Sequence, residues 1–337
     1  MSSRSYLLLL LLVLSIGVGL LVGAYDMSWA DLWGVITGDA DDMQQFLVWE
    51  IRLPRLLLAA LVGAGLAMSG AAIQGLFRNP LADPTIIGIT SGAMLFAVIA
   101  LSFLTTYLAE VTASLLQATI SLFAFIGALL TSWLVYRIGN RYGQSQVASM
   151  ILAGIAVAAF AGALSGYLIY KSDESQLRDI TFWTLGSVSG ASWMQLSIVG
   201  PIVLLGTWLI QRDARALNAI LLGEREAAYL GFQVNAVKQR IIALTALVVG
   251  ACISVTGLIG FVGLVIPHLL RLAWGTDYRS LLINSALLGA SFLVIADNFS
   301  RTIVAPAELP IGILTALVGA PFFIWLLLRQ QRKSLFI

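Results

Sequence analysis

The sequence predicts an all-α integral membrane protein of ten transmembrane helices. Three observations carry this. Of 337 residues, 59% are hydrophobic and only 11% are charged, where an ordinary soluble domain is about one quarter charged. Apolar runs of roughly eighteen residues or more recur along the chain, each long enough to cross a hydrocarbon core of about 30 Å. The polar residues gather in short segments between these runs, which leaves no room for a separate soluble domain: residues 1–337 form one transmembrane unit.

The first span is residues 6–24. Arg4 before a leucine run also fits a signal peptide, but the apolar run is long for one, and a retained helix is expected. Residues 26–50 are polar; within them, 28–36 suit a short amphipathic helix with Trp29 and Trp33 at the membrane interface, and Asp39, Asp41 and Asp42 suit a solvated loop. Pro54 then fits the first turn of the second span, which runs to about residue 77. Its small residues Gly63, Ala67, Gly70 and Ala71 lie roughly a turn apart and let another helix come close.

Arg78, Asn79, Pro80, Asp83 and Pro84 break the second span in a cytoplasmic turn, because each proline lacks an N–H and clashes with the preceding turn. Arg78 and Asp83 are expected to satisfy exposed backbone groups there; a gate or a partner contact is the alternative reading.

The third, fourth and fifth spans are residues 89–107, 114–136 and 146–170. The fifth carries Gly154, Ala158, Gly162 and Gly166 at intervals of four, a smooth stripe suited either to close helix packing or to lining a pore. Residues 171–179 are polar, and 182–192 are too rich in Gly, Ser and Trp for a helix of constant pitch. The sixth span is 193–210. Residues 211–240 are the longest polar segment, read as short helices at 215–222 and 224–230 punctuated by Gly223 and Gly231. The seventh span is 241–255, the eighth is 257–274 and broken at Pro267, the ninth is 281–296 and the tenth is 310–328.

Ten spans put both termini on one side. That side receives 14 Lys and Arg against 5, and 5 Asp and Glu against 12, so the positive-inside rule makes it cytoplasmic. Arg52, Arg55 and Arg301 then face outward. An internal echo at an offset of 187 aligns Val62-Gly63-Ala64 with Val249-Gly250-Ala251, Ser69-Gly70 with Thr256-Gly257, and Pro80 with Pro267. Five spans separate the copies, which suits an inverted repeat, a transporter signature.

Chemistry of other kinds finds little support. The single cysteine, Cys252, and single histidine, His268, allow neither an internal disulfide nor a His/Cys metal cluster. No G-x-x-x-x-G-K-[ST] phosphate loop, H-E-x-x-H or paired-Asp motif occurs. His268 is expected to hydrogen-bond backbone freed by Pro267, haem-iron ligation being the alternative. Asp297 suits a solvated helix end, a proton relay being the alternative. The span centres hold almost no ionisable residues, as an ion-coupled transporter would need.

The stretch 63–93, with its core SGAAIQGLFRNPLADP, resembles the hallmark of the iron-chelate and cobalamin ABC importer permeases. So do IRLPR at 51–55, FWTLGSVSGASW at 182–193, LGEREAAYLG at 222–231, IGFVGLVIPHLLR at 259–271 and ELPIGILTALVGAPFF at 308–323, in the family's order and over nearly the whole chain. The resemblance implies a type II importer of the bacterial inner membrane. Two copies of a ten-helix permease enclose a central pore, two separate cytoplasmic ATPases drive it, and a periplasmic binding protein delivers the cargo. It implies neither a cofactor of the permease itself nor a nucleic-acid partner. It assigns Arg52, Arg55 and Arg301 to docking the binding protein through its carboxylates. It assigns residues 222–231 to the ATPase groove, with Leu222, Gly223, Ala227, Ala228, Leu230 and Gly231 as apolar contact and hinges, and Glu224, Arg225 and Glu226 as polar rim. It places the fifth helix, with Gly154 to Gly166, along the pathway. The blocks at 173–193 and 304–312 resemble haem permeases more than cobalamin ones, with a ferric siderophore as the other cargo.

Overall fold

A computed structural model describes residues 3–23, 25–107, 113–141, 144–145 and 147–334. Ala24 and Gln146, at the expected ends of the first and fifth spans, lie outside the described residues.

The chain opens with α1 (Ser3–Leu21). Next comes α2 (Trp29–Thr37), begun by a reciprocal Ser28/Asp31 capping box and stopped by Gly38 at φ +85°. Trp29 and Trp33 stand exposed on it. A short α3 (Asp42–Phe46) then runs through one π turn, Leu47–Arg52, into α4 (Leu53–Leu76). The second span was expected to begin near residue 52. Instead helix is continuous from Asp42 to Leu76, 35 residues. The wide turn immediately before Pro54, closed by a bond from the Leu53 N–H to the Val48 carbonyl, gives the proline ring room to follow without ending the helix.

After α4 comes the proline turn, with Arg78 at φ +51° and a 3₁₀ turn at Pro84–Ile87. Then follow α5 (Ile89–Tyr107), α6 (Ala113–Gly139) and α7 (Val147–Lys171). Next is α8 (Glu174–Leu185), opened by an Asp173/Gln176 capping box and ended at Gly186, φ +70°. Its helical Phe182–Leu185 portion was expected to be irregular; the break sits at Gly186. The chain continues through α9 (Trp193–Arg212), α10 (Ala214–Leu222), α11 (Glu224–Tyr229) and α12 (Val234–Thr256). It ends with α13 (Val262–Trp274), α14 (Tyr278–Thr302) and α15 (Ile311–Ser334).

Among the described residues, seven helices are long and apolar enough to cross a bilayer. Three shorter apolar helices, Ile89–Phe103, Val262–Trp274 and Ile311–Leu326, coincide with the third, eighth and tenth expected spans.

Helix α4 is the axis of the bundle. Nineteen of its 24 residues are buried, and α9, α12, α13 and α14 pack around it. The approach is as close as backbones allow. A Cβ added at Gly63 would lie 2.2 Å from the Gly289 carbonyl oxygen, and one at Gly70 would lie 1.8 Å from the Gly263 oxygen. Only hydrogen fits at these crossings, so the small-residue face seen in the sequence is the seam between α4 and its two neighbours.

The eighth span is not broken at Pro267. That proline lies inside α13, and the break comes earlier, at Gly257 (φ +69°) and Phe261 (φ +67°). The echo of offset 187 therefore fades in local structure. Gly63 and Gly250 are both mid-helix, but Gly70 is helical where Gly257 ends a helix, and Pro80 is in a turn where Pro267 is not.

Candidate functional site

Two ends of the bundle concentrate polar groups. At the first, α4 begins and α14 ends. Asp297, fully buried on α14, lies between two arginines: Arg55 Nη2 is 2.9 Å from its Oδ1 and Arg301 Nε is 3.3 Å from its Oδ2. Arg55 Nη1 reaches Glu308 Oε1, 2.7 Å away on the segment before α15. Arg301 Nη2 also donates to the Gly19 carbonyl at 3.2 Å and to Asn298 Oδ1 at 2.5 Å. Arg52 donates to the Leu20 and Tyr25 carbonyls. Arg52 and Arg301 thus supply donors to the end of α1, whose last carbonyls have no intrahelical partner.

These positions differ from expectation. Arg52, Arg55 and Arg301 were read as outward docking groups, yet they are 3%, 5% and 7% exposed, with their guanidinium groups engaged inside the chain. Asp297 was read as solvated and has no exposure at all. The sequence could not show that Arg55 and Asp297, 242 residues apart, pair with each other. The carboxylate left partly in solvent is Glu308, at 40%.

At the other end, α10 and α11 form the predicted pair of short helices. Gly223 separates them at φ +147°, where a Cβ would fall 1.7 Å from Glu226 Oε2; Gly231 ends the pair at φ +88°. Polar ties fasten this segment to the bundle. Glu224 Oε2 lies 2.6 Å from Lys238 Nζ on α12. Buried Asp213 accepts from Arg240 Nε at 2.7 Å. Asn218 Nδ2 donates to Asp277 Oδ1 at 2.6 Å and its Oδ1 accepts from the Tyr278 N–H at 2.9 Å. The Asn218 amide and the Arg279 N–H hold the Asp277 carboxyl below the usual carboxylate range. Leu222, Leu230 and Tyr229 are left 70%, 62% and 89% exposed, an apolar ridge with Ala228, Arg225 and Glu226 also exposed beside it. Ala227, expected in the contact surface, is fully buried and faces the bundle. Tyr229 was missed because it was read as part of the helix rather than of its exposed crest.

In the proline turn, Asp83 Oδ1 accepts the Thr85 N–H at 2.8 Å, and Asn79 Oδ1 the Leu81 N–H at 2.9 Å. Asn79, not Arg78, is Asp83's partner in that task; Arg78 is exposed. Pro80 and Pro84 bracket these two side-chain turns. The α7 stripe divides. A Cβ at Gly154 would lie 1.8 Å from the Ile86 carbonyl, so this residue packs α7 on the turn, whereas Cβ atoms at Gly162 and Gly166 would meet no described residue within 4 Å; with half-buried Ala158 they form an open face.

His268 is buried, edge-on to Phe322 with centroids 6.2 Å apart. Neither ring nitrogen has a hydrogen-bond partner among the described residues, so it does not bond the backbone that Pro267 frees. That task falls to Gln74, whose Nε2 lies 3.2 Å from the Gly263 carbonyl.

Comparison with known proteins returns one consistent likeness. The FecCD transport family matches residues 7–329. The Hemin transport system permease protein HmuU of Yersinia pestis is 44% identical over 331 residues, covering 97% of this chain and 96% of that one. The Vitamin B12 import system permease protein BtuC of Vibrio cholerae is 41% identical over 332 residues, covering 97% and 95%. Among solved structures, an inward-facing metal-chelate type ABC transporter superposes with a TM-score of 0.83 at 35% identity, covering 96% of this chain and 98% of that one. PsaBC from Streptococcus pneumoniae, at 21% identity and a TM-score of 0.55, shares the fold.

Proposed function

The chain belongs to the FecCD transport family, and on that premise we propose that it is the membrane permease of a binding-protein-dependent ABC importer carrying an iron chelate, haem first among them, into the cytoplasm. The likeness to a haemin permease over 97% of the chain is the observation that carries the cargo assignment. Ferric siderophore or cobalamin is the second reading, supported by the comparable likeness to a vitamin B12 permease.

In this reading ten helices cross the inner membrane with both termini cytoplasmic, and two copies enclose a central pore. The open Gly162/Gly166 face of α7 borders the pathway; a wall of hydrogens and methyls suits a flat apolar porphyrin. Two ATPase subunits grip the ridge of Leu222, Tyr229 and Leu230. Because α10 and α11 are tied to α12 and α14, movement of the ridge is transmitted to the spans as a rigid-body displacement. The chain supplies no chemistry to ATP hydrolysis and is not itself an enzyme.

At the periplasmic end, the binding protein meets the surface organised by Arg52, Arg55 and Arg301. Arg52 and Arg301 brace the end of α1 from within. Arg55 is the docking group proper, because one of its two carboxylate partners, Glu308, is partly solvated and open to exchange with a carboxylate of the binding protein.

A proton-coupled carrier would centre on Asp297, the buried acid. Both of its oxygens lie against arginines, however, an arrangement that ties α4 to α14 and gives the acid a structural place. The test is uptake in proteoliposomes holding the chain with its ATPase and binding protein. Haemin should accumulate only with ATP. The chain alone should accumulate nothing under a pH gradient; concentrative uptake by it alone, or ATP-driven uptake of cobalamin but not haemin, overturns the corresponding claim.

A further inference from the structure

We propose that a cavity between α6, α9 and α12 is a binding site for a phospholipid whose headgroup donates hydrogen bonds, of the ethanolamine class. The cavity has a volume of about 320 Å³, within the range of small-ligand pockets. It is separate from the arginine cluster, from the α10–α11 ridge and from the α7 face.

Its polarity is graded along the helix axes. Gln117, at the start of α6, and Ser192 and Gln195, at the start of α9, line one end together with Ser254 near the end of α12. Leu122, Phe125, Ile198 and Ile202, one to two turns further along α6 and α9, line the other. The tryptophans fix the depth of the polar end. Trp193, two residues before Gln195, donates its indole N–H to the Trp49 carbonyl at 2.8 Å. Both rings are partly exposed, and paired tryptophans of this kind sit at headgroup level. Leu122 and Ile198 are more than half exposed, so the apolar end opens sideways toward hydrocarbon. A molecule with a polar head at the interface and a chain running toward the midplane satisfies both ends.

The head is specified by an unmet need. Gln195 Oε1 is buried and has no hydrogen-bond partner among the described residues. A buried amide oxygen without a donor costs about 1–3 kcal/mol, so the occupant must bring one. Among the described residues no ionised side chain lines the cavity, which disfavours a head of net charge. An ethanolamine head is zwitterionic and donates through its ammonium; a choline head of the same charge cannot donate. The Gln117 amide can in turn donate to the phosphate or ester oxygens.

The full chain, purified in mild detergent and delipidated, is titrated with dioleoyl phosphatidylethanolamine, phosphatidylcholine or phosphatidylglycerol. Retained lipid is counted by native mass spectrometry. The ethanolamine lipid should be retained on the order of tenfold more tightly than the choline lipid, the worth of one hydrogen bond to a charged donor. Gln195→Leu should abolish the preference and keep some lipid; Ala118→Trp, which fills the cavity from an exposed position, should remove the lipid itself. Equal retention of the three lipids by the unaltered chain, retention unaffected by both variants, or occupation of this face by a second copy in cross-linking through Leu122→Cys would overturn the proposal. None of these outcomes bears on whether the chain transports haem, which the uptake assay decides separately.

Discussion

Gln74 on α4 donates its amide N–H to the carbonyl of Gly263 on α13, at 3.2 Å, and lies 3.3 Å from that of Leu264. Pro267, four residues beyond Gly263, has no N–H to offer this carbonyl, so a side chain from another helix takes the place of the missing backbone donor. The same Gln74 accepts from Arg271 through its Oε1. One residue thereby joins the central helix to a proline-containing one, beside the crossing where Gly70 admits the Gly263 backbone.

Gln74→Leu should lower stability by about 1–3 kcal/mol, the cost of an unsatisfied buried acceptor. Pro267→Ala in that background should recover part of the loss, because alanine restores the helical N–H to Gly263. A double-mutant cycle on thermal unfolding in detergent should show a coupling of at least about 0.5 kcal/mol. Strictly additive effects would mean that the Gln74 bond and the proline gap are unrelated.

The glycines divide into two classes that the sequence does not distinguish. Gly70→Ala places a methyl against a backbone carbonyl and should prevent a stable fold, read as loss of a monodisperse peak in size exclusion. Gly162→Ala meets nothing and should change unfolding by no more than about 0.5 kcal/mol. Gly162→Trp should still insert and assemble with the ATPase, yet reduce ATP-driven uptake severely; unimpaired uptake would remove α7 from the pathway.

Why the sequence disclosed some of this and hid the rest has a physical reason. The all-α class, the proline turn and the α10–α11 pair are written in local patterns: apolar runs, Pro80 and Pro84, Gly223 and Gly231. The burial of Arg52, Arg55 and Arg301 is not local. It depends on Asp297 and on the end of α1 arriving beside them, and charged residues near span ends look alike whether they face solvent or one another. The continuity of α13 through Pro267 was hidden in the same way, since the group that compensates for the proline, Gln74, is nearly 200 residues away.

Asp297 and Glu308 should separate stability from docking. Asp297→Asn leaves Arg55 and Arg301 buried with their shared charge gone, and should cost about 3–5 kcal/mol. Glu308→Gln alters a half-solvated pair, for which about 0–1 kcal/mol is expected. It also frees Arg55 and should tighten binding-protein association, most clearly at low salt. Surface plasmon resonance with the binding protein measures this; weaker or unchanged association in Glu308→Gln would show that Arg55 does not exchange partners.

The Asn218–Asp277 link predicts a pH dependence. The folded carboxyl is held below its ordinary range by the Asn218 amide and the Arg279 N–H. Its contribution is therefore present above the unfolded value, about 4, and is lost as pH falls through the depressed folded value. Asn218→Ala should flatten the acid limb of stability below about pH 4 relative to the parent chain, and an unchanged limb would show that Asp277 gains nothing from this contact.

The exposed ridge should be the point of force transfer. Leu222→Asp and Tyr229→Ala change side chains that are 70% and 89% exposed, so unfolding should shift by no more than about 0.5 kcal/mol. Both should weaken ATPase copurification, Tyr229→Ala by truncating a residue type enriched at the energetic centres of interfaces and Leu222→Asp by placing a charge in an apolar contact. Gly223→Pro acts differently. It forces φ from +147° to about −65°, tilting α11 against α10 while Glu224 and Asn218 still tether them. ATPase binding should persist, but hydrolysis should no longer respond to the loaded binding protein. If Gly223→Pro retains stimulated hydrolysis and uptake while Tyr229→Ala loses neither binding nor uptake, the ridge is a solvated loop and the ATPase grips the permease elsewhere.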